Sequence, residues 1–242
     1  MRKIFLFVIF FGLFFTVNAQ STISISGGIK KTIGDVRSMT LTYVDDSPFK
    51  NELYKEIKPA GRNNFTLSLR SEKNGEKLNP FAEGQFYFGN LTGLALGLGC
   101  SYNIPSERRT KIKPELSAVF GISSKDLGTI ESKDDYVKVN SIRFMDYSNP
   151  DVALQTFCFG IKPGVSFVVD AGHDNEFGVR INYQLSFKLG YLAFSGLNNN
   201  GDETSAIETL NSRNVILNVD GKRSNKAPFN PDGIEISLFY SF

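Results

Sequence analysis

The one histidine of this 242-residue chain, His173, stands between two carboxylates, Asp170 and Asp174. A histidine backed by a carboxylate and facing a serine is the machinery of Ser-His-Asp/Glu hydrolysis, here of a lipid substrate. The sequence has no nucleophile motif such as G-x-S-x-G, and His173 falls in a short turn, Ala171 to Glu176. A solvated turn residue is therefore the expectation: no catalytic residue and no enzyme. The acidic pairs Asp45-Asp46, Asp134-Asp135 and Asp202-Glu203 could bind Ca²⁺ weakly. None has the 12-residue loop pattern of an EF-hand, so they are expected to be solvated loop charge, with no metal and no cofactor. The run Gly93 to Gly99, GLALGLG, resembles a phosphate-cradling loop only in composition. Its glycines share one strand face and no helical pattern follows, as such a loop requires.

The elements that would position these groups read as strands. From Phe177 to Phe194 every second residue is apolar or aromatic: Phe177, Val179, Ile181, Tyr183, Leu185, Phe187, Leu189 and Tyr191. Gly178, Arg180, Asn182, Gln184, Ser186, Lys188 and Gly190 lie between them. Side chains of a strand alternate between faces, so this is a strand with one apolar and one polar side. A membrane-crossing strand needs about 9–11 residues, and this one is long enough to cross and continue. The same alternation recurs at 21–30, 63–71, 93–104, 111–122, 156–170 and 233–242, and less clearly at 81–89. Eight strands result. Segments 31–61, 123–151 and 197–231 read as long polar loops, with possible strand extensions at Met39 to Val44 and Tyr136 to Ile142. The intervening connections are mostly short. Cys100 falls on an apolar face and Cys158 on a polar face of non-neighbouring strands, which disulfide geometry forbids; two free thiols are expected.

Alternation alone does not say which face is outside. Charges on the polar faces are few and of mixed sign: Arg70, Glu83, Glu115, Lys162, Arg180, Lys188 and Glu235. A sheet facing water usually carries more. Inside a narrow closed barrel such charges must pair, and the many Gly and Ser residues on the same faces leave room for them. The expected fold is thus all-β: an eight-stranded antiparallel up-and-down transmembrane β-barrel with three long loops on one rim. An interior of eight strands is filled by side chains, which argues against an open pore. A soluble lipocalin-like barrel, apolar within, is the less favoured arrangement.

The chain opens with Met1-Arg2-Lys3, a 12-residue apolar run from Ile4 to Phe15, and Val17 and Ala19 at the exit. These are the parts of a secretory signal peptide, and the run falls short of the about 20 residues of a spanning helix. Residues 1–19 are expected to be removed, leaving 20–242 as one domain. Losing Arg2 and Lys3 from 27 basic residues leaves 25 against 25 acidic ones. A neutral chain gives nucleic acid no footprint.

The final strand carries Ile234, Ile236, Leu238, Tyr240 and the terminal Phe242 on one face. This resembles the assembly signal of outer-membrane β-barrel proteins, and with the leader, the size and Pro228 to Gly233 the chain is similar to the small group that includes PorT-like proteins and OmpA- or OmpX-type barrels. The resemblance implies recognition of Ile236, Leu238, Tyr240 and Phe242 by the barrel-assembly machinery. It also implies location in an outer membrane, contact with its lipids, and a secretion-accessory role. The expected function is structural or interactive: envelope integrity, adhesion, or docking of a partner through the loops of a monomer. A narrow channel or transporter is the alternative.

Overall fold

In the described residues, long segments with one apolar and one polar face satisfy their backbone groups by closing on themselves. The computed structural model describes residues 21–33, 38–57, 62–104, 109–133, 136–145, 149–172, 175–224 and 231–242. In chain order the strands are β1 (Ser21–Thr32), β2 (Met39–Val44), β3 (Glu52–Ile57), β4 (Asn63–Lys73), β5 (Leu78–Gly89) and β6 (Thr92–Tyr102). β7 (Thr110–Thr129), β8 (Lys138–Val139), β9 (Ile142–Arg143), β10 (Asp151–Gly172) and β11 (Asn175–Leu197) follow. β12 (Glu203–Thr209), β13 (Val215–Val219), β14 (Lys222–Arg223) and β15 (Gly233–Ser241) complete the chain.

The main sheet is a closed antiparallel ring. Its pairings run β1–β4–β5–β6–β7–β10–β11–β15 and return to β1. Closure reaches the last residue, because Phe242 and Ile23 exchange backbone hydrogen bonds of 2.9 and 3.1 Å. A closed ring has no open edge for another chain to pair with. Its outer face is apolar and exposed on every member strand, with Ile25, Leu67, Phe86, Leu98, Phe120, Phe159, Phe187 and Leu238 as examples. The inward positions are polar and buried, including Ser26, Ser68, Gln85, Ser117, Ser166 and Ser237. That is the reverse of a lipocalin-like barrel, which is apolar within.

Among the described residues the three segments expected to be long loops carry strands, as the possible extensions at Met39 to Val44 and Tyr136 to Ile142 anticipated in part. β2 and β3 come from the first, β8 and β9 from the second, and β12, β13 and β14 from the third. β7, β10 and β11 run to 20, 22 and 23 residues, with β7 reaching well past its expected end, β10 starting earlier than expected and β11 close to its expected bounds. Beyond the ring they form an extension to which β12 adds by pairing with β11. A second sheet, in the order β14–β13–β2–β3, lies against it.

The two layers enclose an apolar core. Met39, Leu41 and Tyr43 of β2, Leu53 and Ile57 of β3, and Val215 and Leu217 of β13 join Leu127, Val152, Leu154, Leu192 and Phe194. The rings of Tyr43 and Phe194 stand 4.7 Å apart. Each such side chain contributes about 1.5–3 kcal/mol on full burial, so this cap has a hydrophobic core of its own. The inward alternation of β10 shows the change of solvent. Ser166, Lys162 and Thr156 face the ring interior, and Leu154 and Val152 continue the same face into the cap. Tyr87, Ala95 and Val119, inward on ring strands, belong to the same cluster.

Candidate functional site

The expected interior charges converge. Glu83 of β5 takes Lys162 Nζ at 2.5 Å and Arg180 Nη1 at 3.3 Å, and Arg180 Nε reaches Glu115 at 3.4 Å. Glu115 also holds Arg70 at 2.7 Å, and Arg70 holds Glu72 at 2.6 Å. Glu235 sits 3.6 Å from Lys162 and accepts hydrogen bonds from Gln85 at 2.6 Å and Thr66 at 3.4 Å. Asn182, with its amide nitrogen turned toward Glu115, donates to it at 2.8 Å. Arg70, Glu83, Glu115, Lys162, Arg180 and Glu235 are all buried. Desolvating single ions would be prohibitive; mutual pairing and extra hydrogen bonds offset it.

Rings and glycines complete the packing. The Arg70 guanidinium lies 3.4 Å from the Phe81 ring centre, and that of Arg180 lies 4.8 Å from the Phe239 ring centre. Gly178 makes room for Phe239: a Cβ there would stand 2.8 Å from the ring and against the Phe167 carbonyl.

Lys188 stands apart from this cluster. It is partly exposed and pairs with Asp232 at 2.7 Å, an aspartate that Ser186 also reaches. The sequence reading missed Lys30, Glu72, Asp232 and the Lys111–Lys113–Glu176 group. Lys30 is fully buried, donates to Gln184 at 2.5 Å and lies 5.3 Å from the Tyr87 ring centre. Extending the alternation of Ser24 and Ser26 to Lys30 would have found it. Glu72 would have followed from running the 63–71 strand one residue further. At the rim holding the β10–β11 turn, Glu176 binds Lys111 at 3.1 Å and Lys113 at 2.9 Å. A cavity of about 20 Å³ lies beside Arg70, Glu72, Lys113, Glu176 and Arg180, room for about one water.

Other candidates resolve individually. His173, Asp174 and Asp134-Asp135 lie outside the described residues, as do the leader and Pro228 to Asn230. Asp170 is exposed and accepts from the Gly172 N–H at 2.8 Å. GLALGLG lies in strand β6, where Gly97 faces Glu83 and Ser117 inside the ring and Gly93 packs beneath Tyr87. Cys100 is exposed, Cys158 is buried, and both are free. Ile236, Leu238, Tyr240 and Phe242 form the exposed outer face of the last strand.

Asp45 corrects an expectation, since it is buried rather than solvated. Its carboxylate accepts from Ser47 N at 3.2 Å, Ser47 Oγ at 2.7 Å, Asn51 N at 2.8 Å, Asn51 Nδ2 at 3.1 Å and Lys138 N at 3.0 Å. Five donors satisfy the anion and pin the β2–β3 turn to β8. Burial, helped by Asp46, Glu208 and Asp45, pushes the Tyr43 phenol far above its ordinary range, so it stays neutral in the cap core. Asp45→Ala is expected to destabilise the cap by about 3 kcal/mol, the worth of one or two hydrogen bonds to a charged group. Hydrogen exchange at Ser47, Asn51 and Lys138 should quicken while ring amides keep their rates; uniform quickening would deny the cap its separate footing.

Neither a protein-family model nor a curated protein matches the sequence. Among solved structures, the beta domain of the Bordetella autotransporter Brka is similar over 92% of this chain and 99% of that chain, at 9% identity and a TM-score of 0.29. At that distance the likeness carries no argument.

Proposed function

We propose that this chain is an eight-stranded transmembrane barrel of an outer membrane, exported by its leader, and that it acts through its cap rather than through catalysis. The observation that carries the reading is the unbroken apolar outer face of the ring around a polar, ion-paired interior. Soluble monomers rarely expose apolar patches beyond a few hundred Å², whereas an apolar band about 25 Å tall is what a membrane barrel presents to lipid. Outer-membrane lipids are then its first partner. Its last strand is offered to the barrel-assembly machinery through Ile236, Leu238, Tyr240 and Phe242.

The role is structural or interactive. Ion pairs and the inner end of the cap core occupy the described ring interior, which speaks against a path for small solutes. The cap is rigidly held by its own core, and a rigid scaffold displaying surface elements suits docking of an envelope component. An open groove of about 580 Å³ at the tips of β10, β11 and β12, lined by Asn149, Asp151, Ser195, Glu203 and Thr204, offers one polar contact surface. A monomer suffices for all of this.

Envelope fractionation with a boiled and an unboiled denaturing gel tests the reading. The protein should pellet with the outer membrane and change mobility when boiled. Recovery in the soluble fraction without a shift would sink it.

A further inference from the structure

The apolar outer face is not equally tall all round the ring. On β4 it spans only Phe65, Leu67 and Leu69, bounded by Asn63 and Ser71. Next to it, Lys31 of β1 faces outward, paired in register with Asn63 and with Ile234 of β15. Ile234 is also in register with Tyr183 of β11. There the outward face does not turn polar. It continues through Leu185, Phe187 and Leu189 to Tyr191, with Phe187, at 70%, the most exposed large hydrophobic side chain among the described residues. On β10 it is flanked by Ile161, Phe159 and Phe157, in register with Leu185, Phe187 and Leu189, until Gln155 meets Tyr191.

Strands of one ring share its tilt, so apolar length along a strand converts to height by one factor. At ~3.4 Å per residue the apolar run is roughly 14 Å along β4 and roughly 48 Å along β11. Tilted by ~40°, these become roughly 10 Å and roughly 37 Å of height, below and above the ~25 Å band of an upright barrel.

Resting on the membrane-barrel reading, we infer that lipid acyl chains cover β11 up to Tyr191, so that the lipid boundary stands much higher at β10–β11 than at β1–β4. Three observations select lipid as the occupant. The strip is continuous with the rest of the apolar face. From Phe177 to Ala193 its outward positions include no charge. It ends on Tyr191, whose ring meets Phe157 edge-on at 5.4 Å; tyrosine, apolar in body and polar at the tip, is the residue enriched at the membrane–water boundary. Mismatch of this kind is absorbed by tilting the protein and by local thickening or thinning of the bilayer.

Nitroxide labels on single cysteines, in a Cys100→Ser, Cys158→Ser background reconstituted into phosphatidylcholine vesicles, read the boundary by collision with oxygen or with a water-soluble nickel chelate. Labels replacing Leu238, Leu189 and Tyr191 should all favour oxygen, and those replacing Lys31 and Asn63 should favour nickel. Each variant is first shown to be folded by its mobility shift on boiling. Nickel-dominated collisions at Leu189 and Tyr191, with oxygen still dominant at Leu238, would overturn the inference and leave the membrane reading standing. Low collision with both reagents at Leu189 and Tyr191 would also overturn it, since a protein surface and not lipid would then cover the strip. Nickel dominance at Leu238 too would overturn the membrane reading itself.

Discussion

Glu83→Ala should lower the stability of the folded ring by about 3–5 kcal/mol, the range for breaking a buried ion pair from one side. Glu83 holds Lys162 at 2.5 Å and Arg180 at 3.3 Å, so its loss affects two cations. Those left behind are poorly compensated: Lys162 keeps Glu235 at 3.6 Å and Arg180 keeps Glu115 at 3.4 Å, a glutamate already shared with Arg70. Among the described residues, Lys30, Arg70, Lys162 and Arg180 face Glu72, Glu83, Glu115 and Glu235 on the inner side of the ring, four cations against four carboxylates. Deleting Glu83 therefore creates an excess of positive charge, whereas Arg180→Ala leaves Glu83 its 2.5 Å contact with Lys162 and Glu115 its 2.7 Å contact with Arg70, and should be the milder change. Urea midpoints in detergent would give both values, and the double variant should be closer to Arg180→Ala than additivity allows. Equal stability of Glu83→Ala and the parent protein would mean that water, not Glu83, solvates these cations.

The same cluster shows what could be read from the chain before any coordinates. Period-two alternation places Arg70, Glu83, Glu115, Lys162, Arg180 and Glu235 on polar faces, and all six are buried together. Their partners were not legible, because pairing across the ring joins residues far apart in sequence, such as Glu83 and Arg180, and depends on strand register. Lys30, on the face of Ser24 and Ser26 inside the 21–30 strand, and Glu72, one residue past the 63–71 strand, were both within reach of the pattern. The cap was legible in part, since the possible extension at Met39 to Val44 is β2 and that at Tyr136 to Ile142 overlaps β8 and β9; the rest was hidden for a different reason. Its strands are short, their neighbours rich in Asn, Asp and Ser, and residues 197–231 read as loop because turn-forming residues outnumber the apolar ones. Val215 and Leu217 gain their significance only when β13 pairs with β2, across more than half the chain. Asp45 misled by its type, since an aspartate beside Asp46 and Pro48 suggests a solvated turn until five donors surround it.

Phe194→Ala separates the cap from the ring. Phe194 is fully buried at the far end of β11 and packs on Tyr43 of the second sheet. Removing a buried phenylalanine ring typically costs about 3–5 kcal/mol through lost burial and the cavity left behind. Here that loss falls on a core which Met39, Leu41, Val215 and Leu217 share with the extension, not on the ion pairs below. Limited proteolysis should therefore cut within 38–57 and 203–219 much faster than in the parent protein, while the mobility shift on boiling persists. Planar-bilayer recordings should stay silent, because Glu83, Lys162, Arg180, Glu115 and Arg70 still fill the ring beneath the loosened cap. Steady openings in this variant alone would make the cap the seal of the lumen and revive transport as the function. Silence in Phe194→Ala together with openings in Glu83→Ala would instead locate the seal at the ion pairs, and leave the cap free to serve as the docking surface.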